Sequence, residues 1–409
     1  MATKDQTDAE ILALALVQDP DVVQAKSQLF ATWLSIAQDV APVSDESLGY
    51  LLGAIDEAAL SAAIALTNID PNHPKVVNAL APPHQWFGIN VPGHRLVLDN
   101  PDTTYRTIPI DPTASYLITG KVNKENPVDF SMSLWDRSNA TLAIFTLGNL
   151  VTDAEGNFTV TVDSSAGSGT GNHFQLGSTA ASIFVRDTVS HWGVQQFTTL
   201  RVDRVGGATP PPPRTADELA QALPVAITGL GRTGFLRFTQ LSYAQPINTF
   251  PQLSLGGSGG RLATQAATYS AFALGDDEAL VVTVSLGGAK YFIMPAYTRW
   301  MTTTDYVNHT QTLNNAQADP NPDGTFTFVV SPTDPGVYNW IDTVGLNEGL
   351  LNPRWQALPE GAAPSIQGQL VKLADLAGVL PSTMKMVTPE ERQAQLKTRA
   401  ESFAPRYVP

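Results

Sequence analysis

The chain has 409 residues, with 24 basic and 38 acidic side chains and a net charge of −14. Charged residues make up 15% of it, against about 25% in an ordinary globular domain, while the 43% apolar share is enough for sizeable cores. The acidic balance disfavours nucleic acid, whose phosphates need clustered Lys and Arg, and anionic lipid; the lack of cysteine excludes disulfides, thiolate metal sites and a cysteine nucleophile.

At roughly 100–200 residues per domain, the length predicts two or three domains, or two with a helical annex. The first ten residues lack the basic start and apolar run of a signal peptide. Apolar stretches such as Ala58–Leu66 fall far short of the roughly 20 residues that span a bilayer. A cytoplasmic protein without membrane contact is the expectation.

The first 80 residues read as helical. Asp19-Pro20-Asp21 is a helix start, followed by Val22, Leu29, Phe30, Trp33, Leu34, Ala37 and Val40 at three- and four-residue spacing. Ser44 precedes a second stripe through Leu48, Leu51, Leu52, Ile55, Ala59 and Leu60. Residues 1–80 hold 11 acids and 3 bases, and their apolar stripes are expected to pack on the domain that follows.

From about His94 the period becomes two. Phe130, Met132 and Leu134 alternate with serines, Asn157–Asp163 alternates throughout, and Leu200 and Val202 alternate with Arg201 and Asp203. Short alternating runs at 8–12-residue spacing predict an antiparallel sandwich or barrel. Pro210–Pro213 then marks a stiff linker, and Thr215-Ala-Asp-Glu218 a capping box opening a short helix that Pro224 should end.

Further strands are expected at Thr268–Leu274, Ala279–Leu286, Lys290–Tyr297 and Thr325–Val330. Gly287-Gly288 suits a tight hairpin between the second and third, and Asn321-Pro-Asp-Gly324 a turn before the fourth. Thr388-Pro-Glu-Glu391 is a second capping box, opening a helix to about Ser402.

Gly229-Leu-Gly231-Arg-Thr-Gly234 matches the dinucleotide fingerprint in letters alone. The residues after it have β character, and no acid for a ribose occurs between Glu218 and Asp276, so a loop is expected. The clusters Gly167–Gly171 and Gly256–Gly260 lack the ending of a phosphate loop, and no Gly-x-Ser-x-Gly elbow is present. His73, His84 and His94 share a Pro-rich stretch where three imidazoles could converge on zinc, but no paired ligand motif is present. The expectation is no metal and no cofactor.

Aromatic residues beside Arg or Asp are more informative. They include Asp102, Tyr105 and Arg106; Trp135-Asp136-Arg137; Arg186-Asp187; His191-Trp192; Arg299 and Trp300; Tyr338-Asn339-Trp340-Ile341-Asp342; and Arg354 and Trp355. Such clusters either plug the ends of sheets or line a mostly apolar pocket with a few placed polar groups.

Two segments carry a family resemblance. Asp99-Asn-Pro-Asp-Thr-Thr-Tyr-Arg106 with Ile110–Gly120 resembles the first β domain of the bacterial domain-of-unknown-function family twelve-fourteen, often partnered by twelve-fifty-four. Asn321-Pro-Asp-Gly324, Asp334–Asp342, Gly349 and Arg354-Trp355 are similar to that family's C-terminal signature. The resemblance spans roughly residues 95–400 and implies two β domains, the second jelly-roll-like, with no established reaction. Leu346 stands where one version of the signature has histidine, which removes chemistry built on that imidazole.

The expected fold is therefore mainly β: two antiparallel β-sandwich or jelly-roll domains with a helical N-terminal annex and a C-terminal helix. The annex covers 1–85, the first sandwich 90–207, a linker with a short helix 208–262, the jelly-roll-like domain 263–382, and a helix and tail 383–409. The expected function is binding of a largely apolar small molecule of terpenoid, steroid or lipid type in a β-domain cavity or at the domain junction.

Whether the molecule is also transformed is left open by the residues. Lyase, isomerase or hydrolase chemistry without a cofactor would use Tyr105 as proton donor, Arg299 as charge stabiliser and Asp305 or Asp342 as general base. Asp102, Arg106, Trp135, Trp300, Tyr306, Asn339, Trp340, Arg354 and Trp355 would contact the ligand. Two other readings are a carbohydrate-handling protein, with exposed Trp300, Trp340 and Trp355 stacking on sugars, and an assembly subunit using the acidic annex, with which a homo-oligomer is compatible.

Overall fold

The computed structural model describes residues 2–123, 125, 127–167, 169, 171–230, 233–256 and 264–407. Helices α1 (Lys4–Leu16), α2 (Pro20–Val40) and α3 (Asp45–Thr67) form the annex. Each start has a side-chain cap, from Thr3, Asp19 and Ser44. The caps satisfy backbone N–H groups that a helix leaves unpaired at its first turn. Helix α3 ends at Thr67, short of residue 80, and Val77–Asn78 already forms the edge of the first sheet.

By length and composition α3 is apolar enough to cross a membrane, with a mean hydropathy of 1.4 over its best window. In this fold its Leu51, Ile55, Ala58 and Ala59 are buried in the helical core.

Two further helices join this bundle: α4 (Ala216–Leu230) and α5 (Thr233–Ser242). Pro224 does not end α4, contrary to expectation. A mid-helix proline costs about 3 kcal/mol. Leu219, Leu223 and Ile227 are all buried in the core shared with α2 and α3, each contributing about 1.5–3 kcal/mol. Phe235 makes α5 helical despite its β-like composition, because its ring stacks 4.4 Å from Trp33 and 6.1 Å from Trp300. The glycine motif between α4 and α5 thus joins two helices, although Gly231 and Arg232 lie outside the described residues, as do parts of the two other glycine clusters.

Among the described residues the strands form two pairs of facing sheets and a small two-stranded sheet, His84–Trp86 with Ile89–Val91. In the first pair, a five-stranded sheet runs Val77–Asn78, Thr103–Pro109, Ala180–Thr188, Asp129–Asp136, Thr141–Thr146. The four-stranded partner runs Thr199–Gly206, Ser115–Lys121, Asn157–Asp163, Asn172–Gln175. Ile108, Met132 and Val185 of one meet Tyr116, Ile118 and Val160 of the other in a common core.

In the second pair, a seven-stranded sheet is built around Tyr291–Tyr297 and its neighbours Arg354–Gln356, Glu348–Leu351 and Thr312–Asn314. It faces a four-stranded sheet running Trp340–Asp342, Phe326–Ser331, Glu278–Ser285, Ser365–Lys372. Phe292, Met294 and Trp355 meet Leu280, Val282 and Phe328 between them.

Helices and strands take comparable shares of the chain, so the fold is mixed rather than mainly β, with several sheets and helices at both ends. Among the described residues pairing is antiparallel except for two parallel contacts, Asn157–Asp163 with Asn172–Gln175 and Phe326–Ser331 with Trp340–Asp342. Gly287-Gly288 makes no hairpin: the strands it joins lie in opposite sheets. Nor does the annex pack mainly on the first sheet pair. Its core includes Ala271, Tyr297, Trp300, Met301 and Leu350, all from the second half. The closing helix α6 (Pro389–Phe403) has the predicted capping box at Thr388 and Glu391.

Candidate functional site at the seam between two sheets

Period-two alternation turns Ile108, Val185 and Met132 inward and sends their neighbours to the opposite face of the five-stranded sheet. The strand register orders these outward side chains in rows. Thr107, Phe184 and Ser133 form one row; Tyr105, Arg186 and Ser131 the next; Thr103, Thr188 and Asp129 the third. The seven-stranded sheet does the same with the other phase of its strands, sending out Tyr291, Tyr297, Arg354 and Gln356 while Phe292 and Trp355 point into the core. The two outward faces meet along a polar seam.

One end of the seam is closed. The Asp102 carboxylate accepts from Trp192 Nε1 at 2.6 Å, Asn314 Nδ2 at 2.7 Å and the Tyr291 hydroxyl at 2.8 Å. Tyr297 donates to the Asp99 carbonyl at 2.8 Å. Arg354 donates to Asn352 Oδ1 at 2.6 Å, to the Tyr297 hydroxyl at 2.7 Å and to the Leu98 carbonyl. Thr188 donates to Gln356 across the seam at 3.2 Å. Burial pushes the Asp102 carboxyl up, against the pull of the Asn314 bond and of Arg406. Asp102 and Arg354 are thus keystones that join the halves, and the ligand contacts expected of them are occupied by protein.

The other end is half-open. Tyr105, Arg186, Phe184 and Trp135 are partly exposed along it, and so is Asp129, one row back beside Thr188 where the closed end begins. Trp135 stacks on Phe184 at 4.4 Å with 15° between the rings. The Arg186 guanidinium lies 4.7 Å from the centre of Phe184 and 5.5 Å from that of Trp135, a cation–π geometry. Burial pulls Arg186 down to about 10, and the nearby Arg354 charge acts in the same direction. Burial pushes the Asp129 carboxyl up to about 6 despite the attraction of Arg186.

Along the outward face of the strand Asp129–Asp136 three buried polar atoms have no hydrogen-bond partner among the described residues: Asp129 Oδ2, Ser131 Oγ and, six residues from Asp129, Trp135 Nε1. Leaving such an atom unmade costs about 1–3 kcal/mol, and a ligand that meets it recovers that cost.

Of the residues singled out in the sequence, Asp102, Tyr105, Trp135 and Arg354 come together on this seam. Arg106 does not open onto it; its guanidinium pairs with Asp187 at 2.8 Å and donates to the Thr198 carbonyl. Arg299 is no charge stabiliser for a ligand. It donates to the carbonyls of Ala37 and Ala41 at 2.7 Å and to that of Pro42, at the end of α2, and sits 3.5 Å from Glu348. Asp342 belongs to the far sheet, where it takes His309 Nδ1 and the Val344 N–H, each at 2.7 Å. Asp305 is an exposed turn acid bonded by Asn308. Neither carboxylate is near Tyr105's row.

The remaining expected contacts lie away from the seam, Tyr306 among the residues lining a separate cavity. Trp300, Trp340 and Trp355 are 0%, 8% and 0% exposed and donate to the carbonyls of Ser47, Ser331 and Ser285. They offer no solvent-facing ring to a sugar. Asn339 braces the Thr327 and Asp319 carbonyls, and Tyr306 is buried against Trp192 and Phe403.

The three Pro-rich-stretch histidines separate: His73 pairs with Asp70 at 3.1 Å, while the His84 and His94 rings are 6.5 Å apart. Among the described residues no group of three His, Asp or Glu is arranged to hold a metal ion.

Asp129, Ser131 and Phe184 were not flagged by the sequence. Their one signal is that Phe184, Trp135 and Tyr105 fall on the phase of their strands that an exposed sheet face would fill with polar residues.

No family model matches the chain, and no curated protein matches it. Among solved structures, an uncharacterised protein from Burkholderia cenocepacia aligns over 88% of this chain and 99% of its own, with TM-score 0.73 and 21% identity. The VPA0106 protein from Vibrio parahaemolyticus aligns over 77% and 99%, with TM-score 0.43 and 11% identity. What is shared with the Burkholderia protein is the fold.

Proposed function

We propose that the protein binds a small molecule with a largely apolar body and a polar end at the half-open part of the seam. The observation that carries this reading is the outward face of the strand Asp129–Asp136, where Asp129 Oδ2, Ser131 Oγ and Trp135 Nε1 are unpartnered and Trp135 stacks on Phe184 at the far end from Asp129. Trp135 needs an acceptor, Ser131 can give or accept, and Asp129 is half-protonated near pH 6. An elongated terpenoid, steroid or lipid-like body lying along the strand covers the rings, with one hydroxyl or carbonyl at Trp135 and a second polar group towards Ser131 and Asp129.

The same groups suit acid–base chemistry without a cofactor. A carboxyl raised to about 6 works as a base near neutral pH, and Tyr105, directly opposite Arg186 in the register, is placed as proton donor. Asp129 replaces Asp305 and Asp342 in the role of base. We further propose that each pair of facing sheets is a sandwich domain, the second jelly-roll-like. On the same reading the chain is a divergent relative of domain-of-unknown-function family twelve-fourteen. One of the segments that carry that resemblance, Asp99–Arg106, leads into the seam.

Thermal-shift screening against hydroxylated terpenoids, steroids and fatty acids tests the binding. A hit whose shift disappears in Trp135→Leu supports it. No hit in the panel, or a hit indifferent to that change, contradicts it.

A further inference from the structure

A second cavity lies away from the seam, where Phe403 and Tyr407 pack near His84 and Trp86. It measures about 560 Å3, inside the roughly 300–1,000 Å3 range of small-molecule sites. Its walls are apolar: Pro82, Pro83, Val307, Phe403, Ala404 and Tyr407. Phe403 and Tyr407 are held by ring contacts, Tyr407 lying 4.4 Å from His84 and 5.5 Å from Trp86, and Phe403 5.1 Å from Trp192.

Every charge at this cavity is already met by protein. Arg95 gives its guanidinium to Glu57, with Nε at 2.8 Å, and to the Thr304 carbonyl. Glu10, behind His84, accepts from Trp86 at 2.7 Å and Gln6 at 2.8 Å and lies 3.4 Å from His84 Nε2. His84 Nδ1 is bonded to the Pro82 carbonyl at 2.7 Å. Asp305, at the mouth, is bonded by the side chain and backbone of Asn308. One polar atom of a lining residue is buried without a hydrogen-bond partner among the described residues: Thr304 Oγ1.

We propose that this cavity is a second ligand site, which takes an uncharged, largely apolar molecule with one hydroxyl or carbonyl directed to Thr304. A charged ligand would lose its hydration and find no free counter-charge, which is costly in an apolar site. An uncharged one gains from every wall residue it covers. The site is independent of the seam and does not rest on the function proposed for it.

Nile red, an uncharged apolar dye with a carbonyl, is the probe. The wild type is expected to bind it saturably, one per chain, with blue-shifted emission that the anionic dye anilinonaphthalene sulfonate does not compete away. Ala404→Trp fills the cavity and should weaken Nile red at least about tenfold; Val307→Trp reads the same loss if that variant does not fold. Thr304→Val should weaken binding severalfold with an unchanged melting temperature, and Trp135→Leu, at the seam, should leave it intact. Absence of saturable binding, full binding in folded Ala404→Trp or Val307→Trp, or a loss that follows Trp135→Leu instead would overturn the proposal.

Discussion

Asp129 couples the seam to pH. Its folded-state value of about 6 lies above the ordinary 3.8, because burial disfavours its charge more than Arg186 supports it. The protonated form is therefore the better-tolerated one. Its contribution to stability is fully present below pH 3.8 and is lost as pH rises through 6. Asp129→Asn should remove that slope and make the protein more stable than wild type at pH 7, by up to about 3 kcal/mol. Urea denaturation at pH 4 and pH 7 reads both effects; equal slopes in the two proteins would show that Asp129 does not titrate in this range.

Arg299 teaches the opposite lesson at the same scale. In the sequence, Arg299-Trp300 looks like a ligand clamp, yet its hydrogen bonds close the end of α2. Nothing in the local sequence says which carbonyls, over 250 residues away, receive it. Arg299→Ala leaves three carbonyls without their donor and should cost about 2–4 kcal/mol in denaturant titrations. Ligand binding at the seam should survive in the fraction that stays folded.

Elements whose signals are local were legible. Asp19, Ser44 and Thr388 sit at helix starts, and the Asn157–Asp163 alternation is a strand with one face buried. Elements decided by distant packing were not. Pro224 and the β-rich composition after Gly234 both argue against helix, and burial against Trp33 and Trp300 outweighs them.

Gly287 is a third case, since a glycine pair between two strands reads the same whether it turns a hairpin or crosses between sheets. Its φ of +54° is a left-handed conformation, and a Cβ there would lie 2.1 Å from the Ala363 carbonyl carbon. Gly287→Ala should therefore destabilise the second sheet pair by more than about 2 kcal/mol. A melting temperature within a degree of wild type would contradict that placement of the crossover.

The whole molecule is held at its middle by the closed end of the seam. Asp102 alone takes three donors from Trp192, Tyr291 and Asn314, which belong to both halves. Asp102→Ala leaves three buried donors unmade, at about 1–3 kcal/mol each. It should expose the link between the halves to limited proteolysis before either sheet pair unfolds. A digestion pattern identical to wild type would show that other contacts suffice.

The Asp99–Arg106 segment pointed to this region from the sequence, but its polar residues divide into keystones and ligand-facing groups by which row of the sheet they occupy. That division depends on register between strands some 50 to 80 residues apart, and Asp129 and Ser131 could be found no other way.

The half-open end of the seam as a ligand site is the central claim. Native mass spectrometry of the gently purified wild type beside Trp135→Leu tests it most directly, with denaturing extraction of whatever is bound. The account predicts a wild-type mass above that of the bare chain, an extracted molecule with an apolar body and a polar end, and a bare chain in the variant. A wild type at the bare chain mass, or an adduct equally abundant in both proteins, would contradict it.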